Sequence, residues 1–293
     1  VMNHQRTLLG LFVSAVVAGF VVACGGGGGY DSGTPAATAV ATVVRSASLT
    51  GAQEVPPTGA TGTGRGAVVV NPTTKEITGG ITFTGLTSIP PTAQHIHQAP
   101  GGNAAGSGPP IITLTLAPDN ATATVPAGTT LTDAQYAAFL AGELYFNVHT
   151  TLNSNGEIRG QITGTTGFTA GLATLNGPQE TPPNVSTATG RGTIVVDSTT
   201  REILIAYATH NVSNVTVAHI HTGLLGVSGP PNLAGLTLGT NVVTAPQGAT
   251  ITAQNLTDLN AGYTYFNVHS SNNSCPPAVN CGAGEIRGQI AIQ

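Results

Sequence analysis

Three short motifs occur twice in this chain, in the same order. Ala93-Gln94-His95-Ile96-His97 is answered by Val217-Ala218-His219-Ile220-His221. Tyr145-Phe146-Asn147-Val148-His149 returns letter for letter as Tyr265-Phe266-Asn267-Val268-His269. Gly156-Glu157-Ile158-Arg159-Gly160-Gln161-Ile162 returns as Gly284-Glu285-Ile286-Arg287-Gly288-Gln289-Ile290. Whatever fold the chain takes, it takes twice. The offset is 126 residues at Leu49 and Leu175, 124 at His95 and His219, 120 at His149 and His269, and 128 at Gly156 and Gly284. Such drift means insertions and deletions in loops around a shared core. Units of roughly 120 residues are large enough to bury cores of their own.

Charged residues are 7% of the chain, against about 25% in ordinary soluble proteins. The net charge of -4 leaves no basic footprint, so no nucleic-acid partner is expected. The few charges are placed in pairs. Glu54, Arg65, Lys75, Glu76, Glu157 and Arg159 have counterparts in Glu180, Arg191, Arg201, Glu202, Glu285 and Arg287.

Residues 1–24 are expected to be an export signal. Arg6 precedes an apolar run from Thr7 to Val22, the length of a signal core and short for a membrane span. It ends in Val21-Val22-Ala23-Cys24, which resembles a bacterial lipoprotein signal in which the cysteine takes the lipid. Gly25 to Gly29 open a flexible Gly/Ala/Thr linker over 25–45. The expected location is the bacterial cell envelope, as an outer-membrane or cell-surface lipoprotein held to the membrane through Cys24. A plain secretory signal or an uncleaved anchor are the alternatives. Cys275 and Cys281 bracket a proline-containing loop, and in an exported protein such a pair reads as a local disulfide. A metal-binding thiol pair is the other reading.

From Ser46 onward, short β-prone runs alternate with turn residues. Gly66 to Val70, Glu76 to Phe83, Ile111 to Leu116, Leu144 to Thr150 and Glu157 to Thr163 are the expected strands of the first copy. One helix interrupts them, with Thr132 and Gln135 at capping-box spacing, Tyr136, Phe139 and Leu140 on one face, and Gly142 as its stop. The expected fold is all-β: two tandem antiparallel Greek-key β-sandwiches, immunoglobulin-like or superoxide-dismutase-like, over 46–165 and 172–293, each with one short helix.

Taken together, these motifs resemble the CHRD domain. They are Leu-x-Gly-x-Gln-Glu-x-Pro-Pro from Leu49 and Leu175, the two His-Ile-His segments, Gly106-x-Gly108-Pro109-Pro110, and the Asn-Val-His and Gly-Glu-Ile-Arg runs. In the second copy Asn176 and Pro178 soften the first motif, and Val227 stands where the first copy has Gly106. The module is named for chordin, an extracellular antagonist of growth factors, and also occurs in bacterial exported proteins. The resemblance implies fold and location more than chemistry.

Alternate residues of a strand share a face. An extended segment therefore projects His95 and His97 together, and Asn147 with His149. If those strands are neighbours, His95, His97 and His149 converge, and so do His219, His221 and His269. Three imidazoles with an open position suit copper or zinc, one ion per domain. The other reading is that these histidines are structural. His210 has no histidine counterpart, and His4 lies in the signal. Glu157 and Arg159 also share a face, as do Glu285 and Arg287. Either the glutamate orients a histidine from behind, or the set forms a structural ion pair, with Glu54 the obvious partner of Arg159 and Glu180 that of Arg287.

His219-Ile220-His221-Thr222-Gly223 is similar to the copper pair of Cu/Zn superoxide dismutases. No fourth copper histidine and no zinc loop accompany it, so dismutase activity is not expected. No nucleophile elbow or phosphate-binding glycine loop appears either. The expectation is a non-enzymatic metal-binding protein. The alternatives are an extracellular module for a protein or glycan partner, or a weak copper redox enzyme.

Overall fold

The computed structural model describes residues 41–99, 106–272 and 284–293. The proposed lipidation site Cys24 and the expected Cys275–Cys281 bridge lie outside these residues.

The chain is all-β and falls into two tandem domains. In domain one, β1 (Val43–Thr50), β2 (Thr63–Val70) and β3 (Ile77–Thr84) form an antiparallel meander. Then come β4 (Ala93–Gln98), β5 (Pro110–Thr113), β6 (Thr115–Leu116), β7 (Thr122–Thr124), the helix α1 (Asp133–Ala141), β8 (Leu144–His149) and β9 (Ile158–Gln161). Hydrogen bonding runs in the order β5-β4-β8-β9-β1-β2-β3-β7-β6. The chain leaves β3 for the opposite half of this path, returns between β5 and β6, and crosses again through α1. These are the crossed connections of a Greek key. The path folds over on itself. Leu49, Val68, Ile77 and Ile81 from one half pack against Ile96, Phe146, Val148 and Ile158 from the other, all fully buried.

Domain two repeats the plan with β10 (Phe168–Asn176), β11 (Thr189–Asp197), β12 (Ile203–His210), β13 (Val215–Thr222), β14 (Pro231–Gly235), β15 (Thr237–Leu238), β16 (Val242–Thr244), α2 (Ala253–Asn260), β17 (Thr264–Ser270), β18 (Ile286–Gln289) and β19 (Ala291–Ile292). Its order is β14-β13-β17-β18-β10-β11-β12-β16-β15, with β19 on β10.

Three sequence expectations shift. β1 opens at Val43, inside the segment expected to be linker, and β10 at Phe168, before the expected start of the second domain at 172. The run from Ile111 to Leu116 is not one strand: β5 pairs with β4, and β6 with β7 at the far edge of the path. Leu114, 4% exposed, marks the break. Its apolar alternation continues across the break because both pieces point residues into one core. Leu140 lies outside the buried face of α1 at 45% exposure, while Phe139 is fully buried. The helix caps form as expected. The Thr132 hydroxyl accepts from Gln135 N, the Gln135 side chain accepts from Thr132 N, and Gly142 turns out at φ +76°.

The two domains meet through the outer faces of their meanders. Ala67 and Val69 of β2 join Ala170, Val195, Leu204, Ile205 and Tyr207 in a third apolar cluster. Arg65 pairs with Glu202 at 3.1 Å, and Arg191 pairs with Glu76. Arg65 and Arg191 are counterparts, as are Glu76 and Glu202, so the contacts are related by an approximate two-fold. At their centre Gly79 N donates to Tyr207 Oη at 3.1 Å. Gly79 must be glycine: φ is +122°, and a Cβ would lie 2.1 Å from the Ala67 carbonyl oxygen.

Candidate metal centre

The site is built on the register of β4, β8 and β9. His95 pairs with Asn147 and His97 with Tyr145 across β4 and β8; Asn147 pairs with Arg159 and Tyr145 with Gln161 across β8 and β9. Strand alternation sends Ile96, Phe146, Val148 and Ile158 into the core and leaves the histidines, Tyr145, Asn147 and Arg159 on the other face. Domain two has the same register, with His219 opposite Asn267 and His221 opposite Tyr265.

The three histidines converge in both domains. One nitrogen from each of His95, His97 and His149 lies within 4.8 Å of the other two, and the same holds for His219, His221 and His269. The other nitrogens decide which atoms face inward. His97 Nδ1 is 2.8 Å from the Gly108 carbonyl oxygen, and His149 Nδ1 is 3.0 Å from that of Ser154. A carbonyl only accepts, so each Nδ1 carries the proton and each Nε2 keeps its lone pair. His97 Nε2, His149 Nε2 and His95 Nδ1 are buried with no hydrogen-bond partner. In domain two, His221 Nδ1 donates to Gly229 O at 2.8 Å, and His221 Nε2 and His219 Nδ1 are likewise buried without partners.

Burial favours the neutral form of His95, His97, His149 and His221. It pushes His97 down to about 4, and His95, His149 and Arg159 add to the effect against the opposing Gly108 bond. His221 is driven to about 4 in the same way. His95 is lowered by burial and by His149, and His149 by burial. Neutral imidazoles with inward lone pairs are a metal-ready donor set. Three nitrogens bound to one ion at about 2.1 Å stand roughly 3.4 Å apart, a small closure from the distances here.

The strands also carry residues that motif reading passed over. Tyr145 stacks on His97, with centroids 5.0 Å apart and planes 19° apart, and the Arg159 guanidinium lies 3.6 Å above the Tyr145 ring. Arg287, Tyr265 and His221 make the same column at 3.5 Å and 5.0 Å. Gly108 N donates to Tyr145 Oη at 3.2 Å, so the Gly-Pro-Pro motif latches the tyrosine and the histidine together. A Cβ on Gly108 would lie 1.6 Å from the Gln98 carbonyl oxygen, which explains the glycine. Strand alternation from Asn147 would have placed Tyr145 on the site face. Nothing local in the sequence announces the latch.

Glu157 and Glu285 are a correction. Among the described residues, neither hydrogen-bonds or pairs with a site histidine or an arginine. Glu157 accepts from Thr87 N at 2.7 Å, from the hydroxyls of Thr87 and Thr150 at 2.5 and 2.6 Å, and from Asn153 Nδ2 at 3.2 Å. Burial alone would raise its carboxyl, but these bonds outweigh it and hold the group below the usual range. Glu285 accepts from Ser186, Ser270 and Asn272. Each glutamate stands one residue before its strand, where loop donors reach it first.

The expected Glu54–Arg159 and Glu180–Arg287 ion pairs do not close either. Among the described residues, the ion pairs within 4 Å are Arg65–Glu202, Lys75–Asp133 and Arg191–Glu76. Arg159 is committed to the Tyr145 ring and to Gln161. Arg287 additionally donates to the carbonyls of Leu224 and Val227.

The family model of the CHRD domain matches residues 45–162 and again 172–290. The chain belongs to the CHRD family. No curated protein and no solved structure matches it. Both CHRD domains carry the three-histidine group on their matched residues.

Proposed function

We propose that each CHRD domain holds one transition-metal ion at its three histidines, with copper favoured over zinc. The observation that carries this reading is the set of buried ring nitrogens without partners that converge in domain one; the three rings of domain two converge likewise, with His219 Nδ1 and His221 Nε2 buried without partners. An unpaired buried acceptor is costly, and a metal ion satisfies all three at once. The donors are all imidazole, and copper(II) heads the affinity order for such ligands. Among the described residues, the three rings touch no nucleophile or carboxylate positioned for catalysis. The role proposed is therefore holding or sensing metal rather than turnover. Export and attachment through a lipid on Cys24 belong to the same proposal, resting on the Val-Val-Ala-Cys segment and the glycine tether.

A second reading has one observation in its favour. In domain two, Leu224, Leu225 and Val227 are 52%, 64% and 50% exposed on the loop beside the site, an apolar surface suited to a protein partner.

Metal content separates the two. The protein from residue 41 onward, which keeps all of β1, is stripped with chelator, loaded with copper or zinc, and desalted. Two ions per chain are expected, with His97→Ala and His221→Ala each removing one. A desalted protein without metal overturns the proposal and leaves the partner-binding reading.

A further inference from the structure

Besides Glu157 and Glu285, whose oxygens the loops satisfy, each domain buries a second carboxyl group that the histidine site does not use. Glu54 and Glu180 are both 6% exposed. Each follows a single 3-10 turn, Gly51–Gln53 or Gly177–Gln179. That turn delivers the carboxyl to an asparagine of the site face. Asn147 Nδ2 donates to Glu54 Oε2 at 3.4 Å. This leaves Glu54 Oε1 and Asn147 Oδ1, both buried and both without a hydrogen-bond partner. They face one small space. Each lies 2.6 Å from the point where a Cβ on Gly156 would stand, and Gly156 holds φ +131°. Domain two repeats the arrangement. Glu180 Oε1 and Asn267 Oδ1 lack partners and lie 2.5 and 2.6 Å from the corresponding point on Gly284. Asn267 likewise bonds the Glu180 carboxyl.

Two buried acceptors directed at one space are unfavourable while both are only acceptors. A single proton on Oε1 satisfies both. The acid O–H then donates to the amide oxygen while the amide N–H donates to Oε2, which closes a ring of two hydrogen bonds.

We propose that Glu54 and Glu180 are proton-binding sites, each the acid half of a closed acid–amide pair with Asn147 or Asn267. On losing its proton, each carboxylate turns toward the arginine beside it. Arg159 is the charged group that bears on Glu54, and Arg287 the one that bears on Glu180; the Thr181 amide also bonds Glu180. Burial raises both carboxyls more than the arginines and amides lower them, and the balance falls at about 7 in each domain. The folded chain thus keeps two protons that the unfolded chain releases near 4.5. The stability they contribute is complete below that value and is lost as pH rises toward 7.

The test is carbon-detected NMR of the glutamate carboxyls in the full chain, metal-free, across that range. Two carboxyl signals are expected to titrate near 7, one vanishing in Glu54→Gln and the other in Glu180→Gln. Glutamine presents the N–H and oxygen of the acid form, so these variants keep the paired geometry. Their thermal midpoints should lose the corresponding fall between pH 4.5 and 7. Asn147→Leu removes the amide N–H that lowers Glu54 and puts apolar surface in its place, and should move the Glu54 midpoint further up. Wild-type signals that all titrate in that ordinary range overturn the proposal. So does a Glu54 midpoint indifferent to a folded Asn147→Leu chain.

Discussion

In domain one the carboxylate before β9 is held by Thr87, Thr150 and Asn153; in domain two its counterpart before β18 is held by Ser186, Ser270 and Asn272. The donors differ in type, and one of them comes from a different loop. The neighbouring histidines hardly register the change. His95 and His97 lie 5.3 Å apart and His219 and His221 5.4 Å; the stacks on Tyr145 and Tyr265 are both 5.0 Å. Strand register sets the site, and the loops supply whatever donors complete it. The outer faces differ more. Where β3 carries Gly79, β12 carries Leu204, Ile205 and Tyr207 on the outer face, with a bulge after Val195 that displaces the register.

The strongest test of that equivalence is the latch glycine. Gly108→Ala places a Cβ 1.6 Å from the Gln98 oxygen, and Gly229→Ala one 1.7 Å from the Thr222 oxygen. Backbone must move in both, and each variant should lose at least about 3 kcal/mol by thermal or urea unfolding. Unequal losses would show that the two latches are not the same device. Tyr207→Phe probes the side on which the domains differ. It leaves Gly79 N–H buried without its acceptor, at a cost of about 1–3 kcal/mol. Metal content should not change, because the interface is remote from the histidine face; a lost ion would refute that separation. The smallest effect belongs to the rim. Arg65→Ala and Arg191→Ala each remove one half-exposed ion pair, worth under about 1 kcal/mol. Their effects should match and fade in 1 M salt. A large loss from one alone would break the approximate two-fold.

Much of this is legible in the sequence. The repeated His-x-His and Asn-Val-His segments carry their own geometry, since a strand period of two leaves little freedom for where His95, His97 and His149 point. What escaped depends on distant partners. Thr87 reaches Glu157 across 70 residues, and Gly108 holds His97 through a backbone carbonyl that any residue would offer. Charge pairing also misled. Glu54 and Arg159 come near each other, but a guanidinium flat on Tyr145 is already placed, and a buried carboxyl finds an amide instead. The split at Leu114 was hidden because apolar alternation reports which face is buried, not which neighbour a strand pairs with.

The six residues between Gln161 and Phe168 have a consequence for how strongly the two domains need to attract one another. A short tether raises the effective concentration of one domain near the other to the millimolar range. Two separate chains at micromolar concentration would have to supply about 4 kcal/mol more from the contact itself to reach the same occupancy. Covalent linkage removes that demand. A contact of one apolar cluster, two rim ion pairs and two side-chain hydrogen bonds, Gly79 to Tyr207 and Thr244 to Asp119, is then sufficient, and each repeat is free to build its half differently.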